Sequence, residues 1–117
     1  MTALVLYVSD RYMDSEKRKQ VVAAAKSRLC DGFHLSEDDV VVILENFTDG
    51  NSNERVNHCF FPVLYMPEGS PYEYRKKAGE LINERLRALF HEEEIGHTYF
   101  HMKEHSYDNV ADYGTLL

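Results

Sequence analysis

The chain has 117 residues, 44% of them hydrophobic and 28% charged, with a formal net charge of −7. That length suits one small α/β domain rather than two, and the composition is that of a folded protein rather than a disordered or fibrous one. The acidic balance, with basic residues scattered along the chain, weighs against nucleic acid or an anionic membrane as partner. The longest apolar runs, Ala3 to Val8 and Cys59 to Met66, fall far short of a membrane span. No charged start followed by a long apolar core and a small-residue cleavage site is present, so a cytoplasmic location is expected. Cys30 and Cys59 have neither the number nor the spacing of a disulfide framework or a zinc site, and they read as two reduced thiols.

Ala3 to Val8 is an apolar, β-branched run closed by Ser9, Asp10 and Arg11, which predicts a buried strand. From about Asp14 to Leu29 the apolar positions Val21, Val22, Ala25 and Leu29 recur at helical spacing, with Gly32 read as the helix stop. Ser36 to Asp39 is an acidic turn before a second β-branched run, Val40 to Leu44. Thr48 to Asn57, rich in Asp, Asn and Ser around Gly50, has the composition of a surface loop. The pattern then repeats, with a strand over Cys59 to Met66, a Gly- and Pro-containing turn to Pro71, and a helix over Tyr72 to Phe90. A fourth strand is predicted over Thr98 to Met102.

Laid side by side, Val5-Leu6-Tyr7-Val8 matches Val63-Leu64-Tyr65-Met66, Val21-Val22 matches Leu81-Ile82, and Leu29 matches Leu89. The expected fold class is therefore α/β (α+β). Tandem β-α-β halves, about 2–47 and 59–105, with a short C-terminal segment form one domain over 1–117. Right-handed crossovers place both helices on one face of a four-stranded mixed sheet. The other face is left open, and its apolar residues need a cover, for which a homo-oligomer is the simplest source. A dimeric ferredoxin-like barrel has the same inventory of four strands and two helices, and subunit count separates the two.

Several residues carry a likeness to a known family. Leu6-Tyr7-Val8-Ser9-Asp10-Arg11, the Glu68-Gly69 turn, Tyr99-Phe100 and Val110-Ala111-Asp112-Tyr113-Gly114 resemble elements of the tautomerase superfamily, in particular its cis-3-chloroacrylic acid dehalogenase branch. The resemblance implies a tautomerase/MIF-like fold and a homotrimer. It also implies proton transfer, as keto-enol tautomerisation or a related hydration, on a small carbonyl or unsaturated acid. No organic cofactor and no metal are implied. The chain departs from the branch where chemistry resides: Thr2 stands at the catalytic amino-terminal proline, Pro67 and Ser70 at two carboxylate-binding arginines, and Cys30 near an active-site histidine. The alternative is a non-catalytic homotrimeric binding or signalling module.

An N-terminal amine has an ordinary pKa of roughly 7.7 to 8.0, so a sizeable fraction of it, on the order of a tenth, is neutral near pH 7. Thr2, with Met1 removed, offers such an amine as a base, and its alternative is an ordinary first-strand residue. Tyr99 and Asp112 are the remaining catalytic candidates, matched through the resemblance to a pair that positions water at a subunit-boundary pocket. Arg11, Arg75 and His101 are candidate substrate-binding residues. Arg11 has local acids in Asp10 and Asp14, Arg75 opens a basic cluster with Lys76 and Lys77, and His101 shares a strand face with Tyr99. His97, His101 and His105 would stand about 13 Å apart along a strand, too far to share one metal. His34, His58 and His91 read as solvated loop residues.

Overall fold

A computed structural model describes residues 2–106, 111–112 and 115–116. Strand β1 (Thr2–Ser9) leads through a short 3-10 turn into helix α1 (Ser15–Phe33), and strand β2 (Val40–Phe47) returns parallel to β1. The second half repeats the plan with β3 (Cys59–Pro67), α2 (Tyr72–Arg87) and a broken strand, β4 (His97–Thr98) and β5 (His101–His105), both parallel to β3. The halves join through antiparallel β1 and β3, giving a sheet in the order β2-β1-β3-β4 with β5 also on β3. Two short strands, β6 (Ala111–Asp112) and β7 (Thr115–Leu116), pair antiparallel in a separate ribbon. Among the described residues no helix is long and apolar enough to cross a membrane.

Strand alternation sorts side chains onto two faces. Leu4, Leu6, Val8, Phe60, Leu64 and Met66 face the helices and are fully buried against Val21, Ala25 and Leu29 of α1 and Ala78, Ile82 and Leu86 of α2. Asp14 caps α1 by accepting from the Lys17 amide at 2.7 Å. Gly32 does not stop this helix. It lies one residue inside, where a Cβ would meet the Ala78 Cα at 2.5 Å, and the stop is His34, held in the left-handed region at φ 56° with its amide bonded to the Cys30 carbonyl.

The fourth strand is split by its neighbour. Tyr99 donates its amide to the Phe60 carbonyl at 3.0 Å. The next rung of a parallel ladder would come from the amide of residue 62, and Pro62 has none. The ladder resumes at Val63 opposite His101, leaving Tyr99 and Phe100 between the two segments.

The second sheet face carries no helix. Val41 and Ile43 of β2, Val5 and Tyr7 of β1, and Phe61, Val63 and Tyr65 of β3 line up across it by register. Tyr7, Val41 and Ile43 are exposed at 38, 36 and 45% in the single subunit.

Candidate functional site

The candidate residues fall at two ends of the sheet. Thr2 is 3% exposed at the start of β1, beside Val40 of β2. Its neighbour Ala3 pairs with Tyr65, one residue before Met66, and Met66 lies opposite Glu104. Arg75, in the first turn of α2, reaches that same Glu104 at 3.1 Å, so Thr2 and Arg75 share one end. Of the expected cluster of Arg75 with Lys76 and Lys77, Arg75 is thus drawn toward a carboxylate of β5. Ser70 turns its hydroxyl back onto the Pro67 carbonyl at 2.7 Å.

Tyr99 and Arg11 occupy the other end. Tyr99 sits beside Phe61, which pairs with Tyr7, five strand residues or roughly 17 Å from Thr2. Its hydroxyl accepts from Arg55 Nη2 at 2.7 Å. Arg11 does not pair with its local acids Asp10 and Asp14. It crosses to the 48–58 loop instead, where Nη2 meets Asp49 at 2.8 Å and Nη1 meets Glu54 at 2.9 Å. His101 lies between the ends, opposite Val63, with its ring stacked on Phe61 at 4.9 Å and 18°. The backbone of Asp112 belongs to β6, while its side chain, like Tyr113 and Gly114, lies outside the described residues.

The loop network was not foreseen from sequence. Glu54 accepts from both Arg11 Nη atoms and from His58 Nε2 at 3.0 Å, and His58 Nδ1 lies 2.9 Å from the Glu94 carbonyl. The Arg11 guanidinium first, and His58 second, hold the Glu54 carboxyl at about 2. The Glu94 carbonyl, then Glu54, raise the His58 imidazole above its ordinary value, and Glu54, then Asp49, raise Arg11. His58 is therefore a residue tied through both ring nitrogens rather than a solvated loop residue. The Glu54 to His58 interval of four was the available signal, hidden in a loop whose composition predicts no helical turn. Burial raises both thiols, and Cys59 Sγ donates to the Arg55 carbonyl at 3.2 Å.

The open grooves of the helix layer are lined by other residues. One of about 460 Å³ lies against Asn83, Arg87, Phe90 and Ile95, and another of about 500 Å³ against Gln20, Ala24, Ser27 and Arg85. Neither holds a candidate residue, so the chemistry-bearing groups sit at the sheet ends and on its uncovered face.

Two β-α-β units joined antiparallel, with both helices on one face, define the tautomerase fold. A fused 4-OT in an asymmetric trimer shares it with a TM-score of 0.84 and 12% identity over 97% of this chain and 94% of that one. A member of the cis-3-chloroacrylic acid dehalogenase family matches with a TM-score of 0.75 and 16% identity over 98% and 82%. A malonate semialdehyde decarboxylase inhibited by 3-bromopropiolate matches with a TM-score of 0.72 and 16% identity over 99% and 92%. No protein-family model matches the chain, and no curated protein matches it significantly.

Proposed function

We propose that this chain is a homotrimeric, cytoplasmic member of the tautomerase superfamily, akin to the cis-3-chloroacrylic acid dehalogenase branch. In this reading it moves a proton on a small enolisable or unsaturated carbonyl acid. The observation that carries the reading is the placement of Thr2 and Tyr99 at opposite ends of one sheet, roughly 17 Å apart, with an uncovered apolar face between them. One subunit cannot bring them to one substrate. Packing these faces around a three-fold axis covers the apolar rows and lets one subunit's Thr2 end meet a neighbour's Tyr99 end. The trimeric state of a fused 4-OT with the same fold supports this assembly.

In the assembled site the Thr2 amine, freed by loss of Met1, is the base. Its ordinary pKa of roughly 7.7 to 8.0 leaves it partly neutral at pH 7. Tyr99 is a polar partner that donates its one O–H to the substrate, and Asp112 accepts from the water or enol. Arg75 and Arg11 provide positive potential at the two ends, each tempered by its carboxylate partners. His101 borders the pocket from the sheet face.

Subunit mixing tests the shared site. Methionine-free protein acetylated at Thr2 and a Tyr99→Phe variant are each expected to lose ketonisation of a panel of small 2-oxo acids, followed by enol absorbance. Exchanged trimers of the two should recover activity, because some boundaries then pair a free amine with an intact tyrosine. Active parents, or a mixture that stays inactive after verified subunit exchange, would refute the shared site. Wild-type trimers inactive across the panel would favour the binding-module alternative.

A further inference from the structure

Arg55 reaches the Tyr99 hydroxyl with one guanidinium nitrogen at 2.7 Å, and its central carbon stands 5.8 Å from the Tyr99 ring centroid. With its oxygen accepting from Arg55, the phenol has its own O–H left to donate to a third group. Arg11 and Arg75 are each tied to carboxylates, whereas among the described residues no carboxylate lies within ion-pair distance of Arg55. Its sequence neighbour Glu54 is engaged by Arg11 and His58. A guanidinium has five N–H donors, and one is used on Tyr99. Beside this pair, the Phe61 ring lies 6.2 Å from Tyr99 and stacks on His101 at 4.9 Å. Charged donors, a neutral O–H donor and flat ring faces therefore meet at one edge of the sheet, with no anion among the described residues paired to Arg55.

We propose that Arg55 and Tyr99 form the seat for the carboxylate of a small acid whose body is flat and unsaturated. The proposal rests on the reading of Tyr99 as a pocket residue and supplies what that reading lacks. Pro67 and Ser70 leave no guanidinium at the turn before α2, and Arg55 brings one from the 48–58 loop. The guanidinium takes one carboxylate oxygen and the Tyr99 O–H the other, in charge-assisted and neutral hydrogen bonds respectively. The Phe61 and His101 rings then select a planar body over an aliphatic one of equal charge.

Benzoate is the probe, titrated into the full chain with acetate and benzyl alcohol as comparators, and read by NMR of arginine Nε–H and tyrosine ring signals. Benzoate should shift the Arg55 and Tyr99 signals and bind at least about tenfold more tightly than either comparator. Arg55→Gln should weaken it about tenfold or more, Tyr99→Phe about threefold, and Arg55→Lys should keep part of the affinity. Benzoate binding unchanged in Arg55→Gln and Tyr99→Phe, or shifts at Arg75 instead of Arg55, would overturn the seat. Turnover on the same samples separates the two readings. Arg55-dependent binding by a wild type that turns over no 2-oxo acid keeps the seat and removes the enzyme. Turnover with the same KM in Arg55→Gln keeps the enzyme and removes the seat.

Discussion

A Cβ built on Gly32 of α1 would stand 2.5 Å from the Cα of Ala78 in α2. Backbone atoms of Ala78 are among those it would strike, so no rotamer change relieves the contact. The missing side chain at position 32 thus sets how closely the two helices approach. Gly32→Ala is expected to force them apart and destabilise the fold by roughly 1–3 kcal/mol, outweighing the ~1 kcal/mol that alanine gains as a helix former. Urea unfolding measures it, and a midpoint equal to or above wild type would show slack between α1 and α2.

Both groups facing the His58 ring are acceptors, the Glu94 carbonyl at Nδ1 and the Glu54 carboxylate at Nε2. Only the imidazolium donates to both. The Glu94 carbonyl and then Glu54 raise its folded pKa above 6.5, while Arg11 and then His58 lower that of Glu54 from 4.5 to about 2. A raised histidine contributes stability that is complete below its unfolded pKa and is lost as pH rises through the folded one. A lowered carboxylate contributes stability present above its unfolded pKa and lost as pH falls through the folded one. The network is therefore strongest between about pH 4.5 and 6.5, with a modest effect because the groups are solvent-screened. In an NMR titration His58 should lose its proton above pH 6.5, and Glu54→Gln should lower its midpoint only partway, because the Glu94 carbonyl remains. A wild-type midpoint below 6.5 contradicts the assignment.

If the open sheet face is the trimer interface, charge placed there must dissociate subunits without disturbing the helix-side core. Val5 lies mid-row between Ile43 and Val63, and Val41 is exposed on β2. Val5→Asp is expected to cost roughly 3 kcal/mol on assembly, about a hundredfold in subunit affinity, with Val41→Lys acting in the same direction. Light scattering should show wild-type trimers and variant monomers whose circular dichroism is unchanged. Trimers that tolerate both substitutions would place the interface elsewhere.

Legibility from sequence followed how local each cause was. The β-branched runs and helical spacing gave both β-α-β halves, and β1 extended Ala3–Val8 by only one residue at each end. Gly32 was misread because a glycine near a helix end has two uses, a left-handed cap and a close approach, and only the facing Ala78 tells them apart. His34 took the left-handed cap without the glycine that usually signals it. The break at Tyr99 is encoded in Pro62 on the neighbouring strand. Arg11 finds its partners 38 and 43 residues away, so the local acids Asp10 and Asp14 were the wrong guide. Arg55 carried no sequence signal at all, because its meaning lies in contact with Tyr99, 44 residues on.

The last expectation concerns a reaction of the branch the chain resembles. Hydrolytic dehalogenation of 3-chloroacrylate adds water at the carbon distant from the carboxylate, so the site must hold that carboxylate and draw charge toward it. At the two positions that the resemblance assigns to arginines, Pro67 has no side-chain donor and the Ser70 hydroxyl is bonded to the Pro67 carbonyl at 2.7 Å. Losing one charge-assisted hydrogen bond costs roughly 1.5 to 3 kcal/mol, so losing two removes on the order of two to four powers of ten in transition-state stabilisation. Arg75 does not make up the loss while Glu104 holds it at 3.1 Å. Arg55 supplies a single guanidinium, at the Tyr99 end, and replacement of proline by Thr2 weakens the proton donor further. Chloride release from cis-3-chloroacrylate should therefore run on the order of two to four powers of ten or more below that of a dedicated dehalogenase. A substantially faster release that falls away in Arg55→Gln would mean that one guanidinium suffices, and one that falls away only in Arg75→Gln would mean that the α2 terminus binds the carboxylate after all.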